Sequence, residues 1–139
     1  MSETPDFARQ LADWVEGYEG PRQRAIRHSG EVFRFYTRLF ANAGLSRHHR
    51  HVVNAVLSYF VVSDDVFPEH TLGPLGLVDD LFVASHAYRM LAREVSANLL
   101  LEAWSGPGEL HEVMDLIHRE SRATVGKQAR EVLRLAGLA

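Results

Sequence analysis

Residues 77–95 read LVDDLFVASHAYRMLAREV, and this stretch decides the fold. One apolar set recurs at helical spacing, and a second apolar pair, Val83 and Met90, lies nearly opposite to it. The members of the first set are Leu81, Ala84, Tyr88, Leu91 and Val95. A helix with two apolar faces must be covered on both sides. The stretch therefore predicts a central helix within a helical bundle.

Helical periodicity also runs through the segments before and after this central helix. Apolar residues recur at helical steps near 7–18, 22–43, 47–63, 110–117 and 129–136. The 139 residues of the chain are close to the usual size of one domain. We therefore predict an all-α fold, a single compact bundle of five to six helices over residues 1–139, with no sheet.

Residues 64–76, between the predicted third and fourth helices, combine acids with helix breakers. The breakers are Pro68, Gly73, Pro74 and Gly76, and their density predicts an acidic Pro/Gly loop. Helices joined by a loop of about a dozen residues are expected to be antiparallel neighbours. We expect Phe60, Leu81 and Ala84 to pack together beneath this loop.

The sequence of this hairpin, about 52–92, has the form of a known motif. Residues 59–69 read YFVVSDDVFPE and residues 73–81 read GPLGLVDDL, which resembles the YkvA-like family of small helical proteins. The signature positions are Tyr59 at the aromatic helix end, then Asp65, Pro68, Gly76, Asp79 and Asp80. Glu69 stands where the family usually has Asp. The resemblance implies a fold element rather than an activity.

Charge is unevenly distributed along the chain, although the formal net charge is only −3. Residues 21–51 carry seven arginines and one acid, whereas residues 52–88 carry five acids and neither lysine nor arginine. We interpret the basic block as pairing with residues 52–88 or with an acidic partner protein. The acidic overall charge argues against a nucleic-acid partner. The sequence leaves open whether the 21–51 block binds an external anion.

Three of the acids, Asp65, Asp79 and Asp80, are predicted to lie close together around the loop. Clustered carboxylates suit hard cations such as Mg²⁺, Mn²⁺ or Ca²⁺, which prefer oxygen ligands. Acids in a first helical turn also stabilise the helix dipole, and Asp65 can cap loop amides. We favour this structural role. The alternatives are a metal site and an arginine of the basic block that pairs with these carboxylates.

The histidines are predicted to be structural or solvated rather than ligands. We expect His86 to be buried and hydrogen-bonded. We expect two further groups to lie on exposed helix surfaces. The first group is His48, His49 and His51, and the second is His111, Asp115 and His118.

The absence of cysteine excludes disulfides, thiolate metal sites and a cysteine nucleophile. The N-terminal residues are acidic and lack the apolar core of an export signal, so we expect a cytoplasmic protein. The longest apolar stretch, 52–62, is too short to span a bilayer.

The sequence is most consistent with a non-enzymatic helical interaction or regulatory module that acts through a protein partner or a homo-oligomer. Two alternatives remain open. The first is a divalent-metal-binding protein or metal-dependent enzyme that uses the Asp65, Asp79 and Asp80 cluster. The second is a peripheral membrane protein that contacts lipid through the 60–82 hairpin, a trait that relatives with a more apolar hairpin suggest.

Overall fold

The computed structural model describes residues 6–61 and 77–138. Within these ranges the chain is helical and contains no strand, so the all-α class is confirmed there. The α-helices are α1 (Phe7–Val15), α2 (Gln23–Ile26), α3 (Ser29–Ala41), α4 (Arg47–Val61), α5 (Val78–Glu94), α6 (Ala97–Ala103), α7 (Leu110–Val125) and α8 (Ala129–Ala136). A 3₁₀ turn, Gly126–Gln128, joins α7 to α8.

The described residues thus contain eight α-helices, more than the five to six that the sequence predicts. Two of them are short, since α2 has four residues and α6 has seven. The helix α6 follows α5 after a break at Val95, whose backbone is extended. Periodicity detects such short helices poorly because each contains at most two turns.

The periodicity also predicts one helix from Pro21 to Gly44, but the structure divides it into α2 and α3. The Ser29 hydroxyl donates a hydrogen bond to the Ile26 carbonyl at 2.6 Å, in place of the amide that would continue the helix. The division brings Gly30 against α1, where an added Cβ would lie 2.7 Å from the Ala8 carbonyl oxygen. The break therefore lets α1 and α3 pack closely.

The helix α5 lies at the centre of the fold, as its two apolar faces predict. It packs against α4 on one side and α7 on another, and it also contacts α2 and α8. Its first two turns are completely enclosed, since every residue from Leu77 to Ser85 is buried. In its C-terminal half one side is open to solvent, with Arg89, Arg93 and Glu94 exposed, whereas Ala87, Tyr88 and Leu91 stay buried. One helix thus supplies both core and surface.

The hydrophobic core is one continuous cluster that draws on the helices around α5. Phe60 is buried and meets Phe33 edge to face, with the ring centroids 5.5 Å apart. Leu81 and Ala84 are fully buried in the same cluster. The three residues therefore share one core cluster, whereas the loop beneath which they were expected to pack lies outside the described residues.

The acidic Pro/Gly loop, including Asp65, Pro68 and Gly76, lies outside the described residues. The same holds for the central part of the 60–82 hairpin. Among the helices that are described, none combines the length and the apolar character needed to cross a lipid bilayer.

Candidate functional site

Asp79 and Asp80 occupy the first turn of α5, and both are completely buried. The hydroxyl of Tyr59, near the end of α4, donates a hydrogen bond to Asp79 Oδ2 at 3.0 Å. The structure therefore brings two signature residues, Tyr59 and Asp79, into contact across the hairpin. The helix N-terminus also favours negative charge at both carboxylates. The third predicted ligand, Asp65, lies outside the described residues.

Within the described ranges, five of the seven arginines of the 21–51 block contact other residues of the same chain, but the ion pairs differ from those expected. Arg24 pairs with Glu120 on α7 at 3.0 Å, and Arg34 pairs with Asp6 at 3.3 Å. Neither acid belongs to residues 52–88, so the expected partner segment is wrong for these two arginines. Arg50 instead donates to backbone carbonyls at the α3–α4 connection, including that of Leu45 at 3.1 Å. Much of the block is therefore structural.

A different basic surface appears as a groove of about 710 Å³ between α5, α7 and α8. We call it the arginine groove. Phe82 and Leu133 supply apolar wall, and two half-buried histidines, His86 and His118, line it. Its arginines are Arg89, Arg93, Arg122 and Arg130. Within residues 6–61 and 77–138, none of these four guanidinium groups forms an ion pair with an acid.

Two of the three histidines that line the groove, His86 and His118, stand in a positive field. Burial lowers the pKa of His86 below its ordinary value, and Arg89 and Arg93 lower it further. Burial is also the main cause that lowers the pKa of His118, and Arg89, His86 and Arg122 add to the effect. Asp115 acts in the opposite direction on His118. Both imidazoles are therefore mainly neutral at pH 7, and the arginines carry the charge of the groove.

The orientation of His118 is fixed by contacts with α5. Its ring stacks on Phe82 with the centroids 5.7 Å apart, and its Nδ1 lies 3.2 Å from Ser85 Oγ. The Ser85 hydroxyl donates to the Phe82 carbonyl at 3.1 Å, so its oxygen is the acceptor for a proton on His118 Nδ1. This leaves Nε2 of His118 as an acceptor. Ser85 is completely buried, which keeps its hydroxyl from acting as a nucleophile toward a ligand in the groove.

The prediction that His111, Asp115 and His118 lie on a solvated face of α7 is correct in part. His111 is exposed, and Asp115 is exposed and pairs with Arg119 at 3.5 Å. His118 is instead half-buried against Ser85, because the adjacent helix α5 covers that side of α7. The expectation of a buried, hydrogen-bonded His86 is also wrong in degree, since this side chain is half-buried at the groove.

The histidines at the start of α4 also differ among themselves. His48 and His51 are exposed, as expected. His49 is half-buried and forms an ion pair with Glu94 at the end of α5, with 2.9 Å between Nε2 and Oε1. The sequence does not predict this contact because the two residues are far apart along the chain.

The arginine groove is likewise not predicted, because its charges come from three helices. One signal is present in the sequence: His86, Arg89 and Arg93 follow one another at three- and four-residue steps and therefore share a face of α5. A basic stripe on a central helix indicates a surface that the bundle leaves open.

Two comparisons relate the chain to known proteins. A family model described as "Protein of unknown function (DUF1232)" matches residues 51–85. The chain is also similar to a protein named "Uncharacterized protein ORF9" from Methanothermobacter thermautotrophicus, with 25% identity over 133 residues, which cover 96% of this chain and 91% of that protein. No solved structure gives a significant match. A resemblance to a family of unknown function is thereby supported.

Proposed function

We propose that this chain is a non-enzymatic helical interaction module of the YkvA-like type, and that its arginine groove binds an acidic segment of a partner protein. The family match at residues 51–85 supports the type, because it includes Tyr59, Asp79 and Asp80 of the motif. The observation that carries the binding role is the groove itself, where arginines from three helices meet beside an apolar wall.

Charge complementarity argues for an anionic occupant. Guanidinium groups form paired hydrogen bonds with carboxylates, so a groove with several of them recognises acidic side chains well. Phe82 and Leu133 add apolar surface on which the stem of a bound side chain packs. A protein segment uses both features, whereas a free small anion uses only the charge. The net charge of −3 disfavours a polyanion as extended as a nucleic acid.

The experiment measures fluorescence anisotropy of a labelled Glu/Asp-rich peptide against the full chain, with a Gln/Asn-substituted peptide as the uncharged control. Two substitutions in the groove, Arg89→Gln with Arg93→Gln, should weaken binding by about tenfold or more, which corresponds to about 1.4 kcal/mol. Binding should also weaken as salt is raised, because the arginines are partly exposed.

The matched control removes the same charge elsewhere. Arg38→Gln with Arg47→Gln changes two exposed arginines outside the groove and should leave the affinity unchanged. Equal weakening by both pairs would mean that the peptide responds only to overall charge, and the proposal would fail. Light scattering of the chain alone tests whether the groove instead binds a second copy of this chain. A dimer that Arg89→Gln dissociates would mean that the occupant is this second copy and not an acidic segment of another protein.

The second candidate is a divalent-cation site at Asp79 and Asp80 with Asp65. The complete burial of two adjacent carboxylates favours it. We rank it second because the Tyr59 hydroxyl and the N-terminus of α5 stabilise the same carboxylates without a metal. The lipid-contacting alternative concerns the 60–82 hairpin, and liposome flotation of the full chain tests it.

A further inference from the structure

The side chains of His48 and His49, at the start of α4, meet the side chain of Glu94, the last residue of α5. One ligand atom from each of the three residues lies within 4.8 Å of the other two. The two imidazole rings pack edge to face, with their centroids 5.2 Å apart. Three groups that can each donate a lone pair to a metal ion therefore converge from two helices.

The position of His49 within this cluster is held by Ser46. The backbone N–H of His49 donates to Ser46 Oγ at 3.2 Å, and His49 Nδ1 lies 2.8 Å from the same oxygen. The other ring nitrogen, Nε2, lies 2.9 Å from Glu94 Oε1. Proteins commonly orient metal-binding imidazoles in this way, with one nitrogen hydrogen-bonded and the other directed at the metal.

The electrostatics at Glu94 favour a cation. Glu94 supplies a carboxylate whose Oε1 lies 2.9 Å from His49 Nε2. The C-terminus of α5 adds partial negative charge from its last carbonyl groups. A metal ion bound here would therefore link the start of α4 to the end of α5.

We propose that His48, His49 and Glu94 form a surface binding site for a divalent transition-metal ion of the zinc class. Two imidazoles and one carboxylate are typical zinc ligands, whereas Mg²⁺ and Ca²⁺ prefer oxygen alone. This site shares no residue with the arginine groove. The inference is therefore independent of the proposed function.

The ligands must move only slightly to bind the ion. Ligand atoms around tetrahedral zinc lie about 3.3 Å apart when the Zn–N distances are about 2.0–2.1 Å. Closing the present spacing requires a shift of about 1.5 Å, which rotamer changes of His48 and Glu94 can supply. Both residues are exposed, and the Glu94 side chain is 59% accessible. The fourth position is left for water or for a ligand from a partner.

The test is calorimetric titration of the untagged chain with Zn²⁺, together with its melting temperature in Zn²⁺. We expect one saturable site per chain and a higher Tm. Loss of a hydrogen bond to a metal ligand typically weakens metal binding by roughly 10- to 100-fold. Because His49→Ala and Glu94→Gln each remove a ligand itself, each should weaken binding by more than this. His48→Ala should also weaken it, and Mg²⁺ should give no saturable signal.

Two exposed histidines provide matched controls. His51 lies on the same helix as the site, and His111 lies on α7. The variants His51→Ala and His111→Ala should keep the wild-type zinc affinity, while circular dichroism checks that each variant is folded. The proposal is overturned if the wild type shows no saturable binding, if His49→Ala and Glu94→Gln bind as the wild type does, or if His51→Ala abolishes binding.

Discussion

The hydroxyl of Tyr36 on α3 donates a hydrogen bond to the backbone carbonyl of Ala84 on α5 at 2.6 Å, and both residues are completely buried. Burial raises the pKa of Tyr36 well above its ordinary value, so the phenol stays protonated and remains a donor. This bond fixes α3 to the buried half of the central helix.

Tyr36→Phe should lower the free energy of unfolding by about 1 kcal/mol, because it removes the hydrogen bond but keeps the ring in place. Chemical denaturation measures the change. A variant as stable as the wild type would show that the bond contributes nothing net to the packing of α3 on α5.

Gly30→Ala should destabilise the protein, although alanine normally stabilises a helix relative to glycine by about 1 kcal/mol. The added Cβ would lie 2.7 Å from the Ala8 carbonyl oxygen and 2.8 Å from the Ala12 Cβ, so α1 would have to shift. Overpacking of this kind typically costs about 1–3 kcal/mol. A rise in Tm would mean that α1 does not approach α3 as closely as described.

Phe60→Ala should cost about 3–5 kcal/mol, since it removes a buried ring and leaves a cavity beside Phe33. The control is Phe40→Ala, which makes the same change at a side chain that is 39% exposed. The guanidinium of Arg50 lies over the Phe40 ring, 5.6 Å from its centroid, and we expect Phe40→Ala to cost about 1 kcal/mol or less. Equal losses at the two positions would contradict the assigned core.

The free energy of unfolding should fall with pH below about 6.5 through the two half-buried histidines of the arginine groove, His86 and His118. Their pKa values are lowered in the folded state, so the unfolded chain binds protons first as the pH drops. The loss of stability that these two histidines cause is absent well above pH 6.5, and it develops as the pH falls toward their folded-state pKa values.

The comparison that isolates this effect is the wild type against His86→Gln with His118→Gln. The other histidines are the same in both proteins, so their contributions cancel in the difference. The double variant should lose less stability than the wild type between about pH 7 and pH 5. Parallel curves for the wild type and the double variant would contradict the lowered pKa values.

Neutralising Asp79 or Asp80 should reduce stability without affecting any response to hard cations. We expect Asp79→Asn and Asp80→Asn each to cost about 0.5–2 kcal/mol, through weaker contacts with the helix N-terminus and, for Asp79, with Tyr59. Neither the wild type nor the variants should melt higher in Mg²⁺ or Ca²⁺. A bound cation at a hundredfold excess over its Kd would add about 2.7 kcal/mol, which is readily detected. Such a gain, lost in the double variant, would favour the metal site instead.

The sequence predicts the buried half of the fold well because burial imposes a period on the residues. Leu81, Ala84 and Leu91 recur on one side of α5, and all three are fully buried. The division at Ser29 is not visible in this way, because the apolar period continues from Ile26 into α3. The break coincides with the close approach of Gly30 to α1, and that contact depends on tertiary packing.

The candidate sites are harder to predict because their residues are distant in sequence. Arg89 and Arg130 become neighbours only when α8 packs on α5. His49 and Glu94 meet because α4 and α5 pack side by side with the start of one at the end of the other. The spacing of apolar residues and the composition of a segment indicate which side of a helix is buried. They do not indicate which exposed side faces another helix.

The burial of α5 changes halfway along its length, from enclosed residues up to Ser85 to exposed charges at Arg89, Arg93 and Glu94. Tolerance to substitution should change at the same point. In the first half, any exchange must preserve volume and the existing hydrogen bonds, so few residues are acceptable. In the second half, charge can be altered or reversed at little structural cost. Binding preference can therefore diverge between related chains along one helix while the bundle that supports it stays the same.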